Sequence, residues 1–199
     1  MRVFAISCRP LRLLTAALAL GAFLPLATPL TAEVSSFARS MAEAASEDEV
    51  VAAFYRNRNY QTLWTGPQDQ ARRNALLTAF AGASLHGLPT DRYDAAALTA
   101  RFAAAVTEGD VGRLEVDLTR AFLAYGRDLQ SGVLEPHKVD AGILREPVRV
   151  DPALLLAGVQ TLDTAGFLRD LAPKAPEYAR LMKEKLRLEG LIAAGDAPT

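Results

Sequence analysis

The chain has 199 residues, half of them hydrophobic and 23% charged, with a formal net charge of −1. That is the composition of a globular protein, long enough for one good core, and it argues against disorder. With charge so nearly balanced there is no concentrated basic surface, which excludes nucleic acid as a partner reached through phosphate contacts.

The first predicted element is an export signal. Arg2, Arg9 and Arg12 precede a nearly continuous apolar run from Leu13 to Leu26, and Leu30-Thr31-Ala32 offers a small residue to signal peptidase. Gly21, Pro25 and Pro29 interrupt a run that already falls short of the ~20 residues a span needs. Residues 1–32 therefore read as a cleaved signal peptide, with contact to a membrane only through it and a periplasmic destination for the rest. Its removal takes three arginines and no acid, leaving 19 basic against 23 acidic residues, a formal charge of −4. It also removes Cys8, the only cysteine. The remaining chain has no disulfide, cysteine nucleophile or thiolate ligand to offer.

After a helical lead-in at Ser35 to Ala45, Ser46-Glu47-Asp48-Glu49 fits a capping box opening a helix through Val50, Val51, Phe54 and Tyr55. Asn57 and Asn59 mark its end. Tyr60 to Thr65 follows as a short extended segment closed by Gly66-Pro67, with Trp64 as an aromatic core anchor. Gln68 to His86 predicts a second helix, with Leu76, Leu77, Phe80 and Ala83 inward, Arg72, Arg73 and Asn74 outward, and Gly87 as its left-handed terminus. Asp94 caps a third, carrying Leu98, Phe102 and Val106. The strongest periodicity runs from Asp110 to Pro136. Leu114, Leu118, Ala121, Phe122, Tyr125 and Leu129 form an apolar stripe, Glu115, Asp117, Arg120, Arg127 and Asp128 fall largely opposite, Asp110 caps the start, and Gly132 and Pro136 end it. A helix with so wide an apolar face needs partners on more than one side.

Beyond it, Val139 to Val150 is irregular with room for one short strand at Val148 to Val150. Asp151-Pro152 starts a helix faced by Leu154, Leu155 and Val159. Phe167, Leu168 and Leu171 face the next. The last carries Tyr178, Leu181, Met182, Lys185 and Leu188 inward, and residues 193–199 read as a linker-like tail. The fold class expected is mainly α, a single orthogonal multi-helix domain over residues 33–192 with at most one or two short strands.

Chemistry is sparse in this sequence. His86 and His137 are the only histidines, and neither has a second ligand at metal spacing, so no metal or cofactor site is expected. His86 is placed to interact with helix-terminal carbonyls, and His137 to be a solvated loop residue. Ser84 near His86 lacks the glycine two residues on that a nucleophile elbow requires. Glu108, Asp110, Glu115 and Asp117 are candidate hydrolytic carboxylates, though acids are also favoured at a helix start. Arg56, Arg58, Arg72 and Arg73 with Asn57 and Asn59 form the one modestly basic region, read as a solvated helix face. No residue is assigned a catalytic, cofactor-binding or metal-binding role.

Four segments in order and spacing, VVAAFYRNRNYQTLWTG at 50–66, ASLHGLPTDRYD at 83–94, LEVDLTRAFLAYGRDLQSGVLEPHKVD at 114–140 and LAPKAPEYARLMKEKLR at 171–187, resemble the N-terminal scaffold domain of the large bacterial murein L,D-transpeptidases. The resemblance implies a helical scaffold associated with a peptidoglycan-binding module and with a catalytic domain whose cysteine forms a thioester with a stem peptide. It implies a role in cell-wall biogenesis, with peptidoglycan or a catalytic or wall-binding module as partner. None of that family's catalytic residues has a counterpart here, and a truncated product, a fragment and a stand-alone scaffold all fit. Two other readings stand beside it: a helical periplasmic glycosidase using an acid pair between Glu108 and Asp117, and a periplasmic binding or assembly factor.

Overall fold

In the computed structural model, which describes residues 35–144 and 146–195, the longest element is a helix from Glu108 to Ser131. It is the fifth of nine α-helices among the described residues: α1 Ser36–Ala45, α2 Glu49–Asn57, α3 Gln70–Ala81, α4 Ala95–Ala104, α5 Glu108–Ser131, α6 Pro136–Val139, α7 Pro152–Gly158, α8 Thr164–Asp170 and α9 Pro176–Ala194. The mainly α fold class is as expected. The export signal and its cleavage point after Ala32 lie outside the described residues.

Several boundaries shift by a few residues because a different side chain reaches the free amides. Thr107 caps α5 through Asp110 N at 3.1 Å, and Asp110 returns a contact to Thr107 N, so Asp110 is the third residue of a capping box. Asp48 caps α2 through Val51 N at 3.1 Å, while Ser46 closes α1 by donating to the Glu43 carbonyl. Asp94, Asp151 and Asp163 cap α4, α7 and α8. The predicted second helix breaks into α3 and a 3₁₀ turn, Ala83–His86, ended by left-handed Gly87 at φ +74°. Val148 to Val150 forms no strand. The tail expected from residue 193 is helical as far as Ala194.

The core is built on α5. Leu114, Leu118, Phe122, Tyr125 and Leu129 are buried with Leu76 and Phe80 of α3, Leu155 and Leu156 of α7, Leu168 of α8, and Trp64 from the loop after α2. Phe80, Tyr93 and Tyr125 form a triangle with centroids 5.3–5.4 Å apart. A second cluster of Met41, Ala45, Val51, Tyr55 and Val116 fills the other side of α5. In α7 the face is rotated from expectation: Leu156 is buried and Leu154 is 65% exposed. No residue of α9 is fully buried; it rests on the Ala83–His86 turn through Tyr178.

The tightest approach is α1 on α5 at Gly112, where a Cβ would stand 2.7 Å from the Phe37 carbonyl oxygen and 3.1 Å from Ser40 Cβ. Alanine in a helix interior is worth about 1 kcal/mol over glycine, but here it would meet backbone that cannot swing aside. Gly112→Ala should therefore destabilise by about 1–3 kcal/mol in urea denaturation. Equal or greater stability would show that α1 is free to shift.

Candidate functional site

The sequence between α2 and α3 has to leave one helix, cross the core and enter another with no regular ladder for its backbone. Asn59 and Tyr60 both take positive φ, 51° and 57°, turning the chain back over α5. Asparagine tolerates this conformation and tyrosine does not, so the second turn carries a cost. What holds it is Glu115, a residue with no exposed surface. Its Oε1 accepts from Leu63 N at 2.6 Å and Tyr55 Oη at 2.8 Å; its Oε2 accepts from Thr65 N at 2.9 Å and Thr65 Oγ1 at 2.7 Å. The Trp64 amide lies within 3.2 Å of both oxygens. Three successive amides thus converge on one carboxylate.

The carbonyls of the same loop are gripped by arginines. Arg58 donates to Thr62 O at 3.0 Å, Arg72 to Leu63 O at 2.9 Å and Arg73 to Trp64 O at 2.7 Å. Arg72 also donates to buried Asp69, which accepts from Thr62 Oγ1 and Gly66 N. Buried backbone groups must find partners, and here side chains supply them. Trp64 Nε1 donates to Thr119 Oγ1 at 2.9 Å, and Thr119 lies 2.5 Å from Tyr55 Oη. Burial, then the neighbouring Glu115 charge, pushes the Tyr55 hydroxyl well above its ordinary value, keeping it protonated as a donor.

This geometry corrects three expectations and bears out a fourth. Glu115 is at the centre of the core, not on the solvent face of α5. Arg72 and Arg73 point back over the loop instead of outward, and Arg73 also lies over the Phe102 ring. The predicted basic face is solvated only in part: Arg56, Asn57 and Asn59 are exposed, with Arg56 paired to Glu49 at 2.5 Å, whereas Arg58, Arg72 and Arg73 hold the loop. Trp64 is the buried anchor the sequence suggests.

Asp128, also expected on the solvent face, is a second buried acid. It accepts from Tyr93 Oη at 2.7 Å, Arg127 Nε at 2.9 Å and Arg92. Burial pushes this carboxyl up, but the Tyr93 hydroxyl and the two guanidiniums outweigh it and hold it below the usual carboxylate range. Tyr93 is raised, by burial and then by its bond to Asp128.

The candidate hydrolytic acids are not assembled as a pair. Glu108 accepts from Ser36 Oγ at 2.5 Å and Glu115 is enclosed. Asp110 and Asp117 do line one shallow depression of about 260 Å³, but Asp110 pairs with Arg113 at 2.6 Å and Asp117 with Arg101. The Thr107 hydroxyl and amide, with Arg113, lower the Asp110 carboxyl, the opposite of what a general acid needs. His86 faces Tyr178 instead of helix-end carbonyls, Nδ1 to Oη at 2.6 Å, and burial lowers its affinity for protons. Ser84 is exposed and makes no bond to it, and His137 is exposed beside Glu135.

One cleft of about 360 Å³ has no counterpart in the sequence reading. Arg120, Leu123, Ala124 and Arg127 form one stripe of α5 along its floor; Asp48 and Val50 at the start of α2 form one wall, and Arg149, Val150, Pro152 and Leu155 the other. Arg120 and Arg127 were legible as a pair seven residues apart on one helical face. Arg149 was not, because only the fold brings that irregular segment across to α5.

The result is a helical packing domain whose buried charges are structural. The chain belongs to the family described as Scaffold domain, whose model matches residues 49–184. This agrees with the resemblance to the scaffold domain of murein L,D-transpeptidases. No curated protein and no solved structure matches the chain.

Two measurements check the buried acids. Glu115→Gln keeps the volume but turns one acceptor oxygen into a donor facing donors, so it should lower unfolding free energy by about 3 kcal/mol; a neutral result would mean Glu115 only fills space. Asp128, with its carboxyl depressed in the fold, contributes stability that is complete above its unfolded-state value and is lost as pH falls through the lower folded-state value. Wild-type Tm should therefore fall more steeply than that of Asp128→Asn as pH drops from about 5 to about 2. Parallel curves would remove the assignment.

Proposed function

We propose that the protein is an exported scaffold in peptidoglycan cross-linking, which holds catalytic and wall-binding modules of the L,D-transpeptidase type and does not itself transfer acyl groups. The family match carries the scaffold role. Its finer assignment is supported by the four segments in register with that enzyme family and by the export-type sequence of residues 1–32. Residues 33–199 contain no cysteine, so the thiolate of a thioester mechanism has to come from another module.

The surface supports a docking role. Along α9, Leu181 is 70% exposed, Leu186 48% and Ile192 62%, and no residue of that helix is fully buried. Apolar surface of this kind is material for a module to cover. Mixing the purified protein with an L,D-transpeptidase catalytic module should give a complex detectable by size-exclusion chromatography and cross-linking. Leu181→Lys with Ile192→Lys, at positions the fold does not need, should weaken it at least about tenfold, as a buried charge without a partner does. A complex indifferent to both changes, or none at all, would count against this reading. Cell fractionation with N-terminal sequencing tests export: the mature product should begin at Glu33, and an unprocessed chain retained in the cytoplasm would overturn it.

A further inference from the structure

The cleft over α5 carries more positive charge than the fold consumes. Asp128 is shared by Arg92 and Arg127, the latter through Nη2 at 2.8 Å. Asp117 is shared by Arg101 and, at 4.0 Å, Arg120. Arg149 forms no hydrogen bond or ion pair with the described residues, although it also borders a neighbouring depression with Glu135 and Glu146. Asp48 is the one carboxylate in the lining, and its Oδ1 is occupied in capping α2. The lining itself holds three guanidiniums, Arg120, Arg127 and Arg149, against one carboxylate, Asp48. Arg120 also donates through Nη2 to Ala44 O at 2.6 Å, fixing its head at the cleft edge.

The rest of the lining is apolar: Val50, Leu123, Ala124, Val150, Pro152 and Leu155. A bare hydrated anion would gain nothing from that floor, and an apolar body without charge would leave Arg149 unanswered. The combination suits a ligand that is anionic at one end and aliphatic behind it. Guanidinium matches carboxylate in a planar, two-point geometry. A volume of about 360 Å³ is at the small end of ligand clefts. It holds only a few small residues.

We propose that this cleft binds the free C-terminal carboxylate of a short peptide whose last residues carry small apolar side chains, with Arg149 as the group that closes on the carboxylate and Arg120 and Arg127 as its flanks. This assignment rests on the cleft's own geometry and stands or falls separately from the cross-linking role.

The test is calorimetric titration of the purified protein with acetyl-trialanine and with its C-terminal amide, at low ionic strength where exposed charges are least screened. The carboxylate form should bind and the amide should bind at least about tenfold more weakly. Arg149→Gln should cause a comparable loss, with unchanged circular dichroism and Tm because the side chain supports nothing in the fold. Inorganic phosphate should compete poorly, since it lacks the aliphatic body. A probe ending in D-alanine distinguishes a wall-derived peptide from a protein tail, and preference for either stereoisomer upholds the site. Equal binding of acid and amide, phosphate competing as well as the peptide, full binding by Arg149→Gln, or no binding at all would overturn it.

Discussion

The fold depends on one carboxylate meeting three backbone amides in the interior. The loop from Tyr60 to Gly66 is irregular, yet Leu63 and Trp64 are completely buried. A buried loop is tolerable only if its donors and acceptors are answered, since each orphan costs about 1–3 kcal/mol. Glu115 answers the amides and Arg58, Arg72 and Arg73 the carbonyls. The charges are opposite and lie on the two sides of the same peptide planes, so the buried carboxylate is compensated without a direct ion pair. With the loop pinned, Trp64 can lie against Phe122, centroids 5.6 Å apart, and the helices on either side of the loop pack on α5.

The same helix repeats the device at Asp128, where a buried acid collects Tyr93 and two arginines and fixes the turn that leads into α4. Polar side chains near the core are thus already committed to holding the fold. That fits a domain whose task is to keep shape: buried structural charges within, and apolar or cationic features on its surface. The exposed residues of α9 and Arg149 of the cleft are on the outside and remain available for contact, while Arg120 and Arg127 also serve the fold.

Much of this was legible from the chain alone. The apolar stripe of α5, the aspartate caps before α4 and α7, the left-handed Gly87 and the anchor role of Trp64 all follow from local rules of spacing and capping that act within a few residues. The misreadings share a cause. Glu115, Asp128, Arg72 and Arg73 are charged, and charge at helical spacing ordinarily signals a solvated face. Each is instead turned inward by backbone groups or partners more than thirty residues away, or by a loop whose path no local pattern encodes.

The sequence by itself determined that the protein is helical, roughly where the longer helices lie, and which face of the central helix is apolar, because these depend on near neighbours. Only the tertiary structure decided which charges are buried, that the acids around the start of α5 do not form a catalytic pair, and that Arg149 joins Arg120 and Arg127 across a cleft. Those outcomes depend on how an irregular loop satisfies its peptide groups, and that is settled by contacts between segments far apart in the chain.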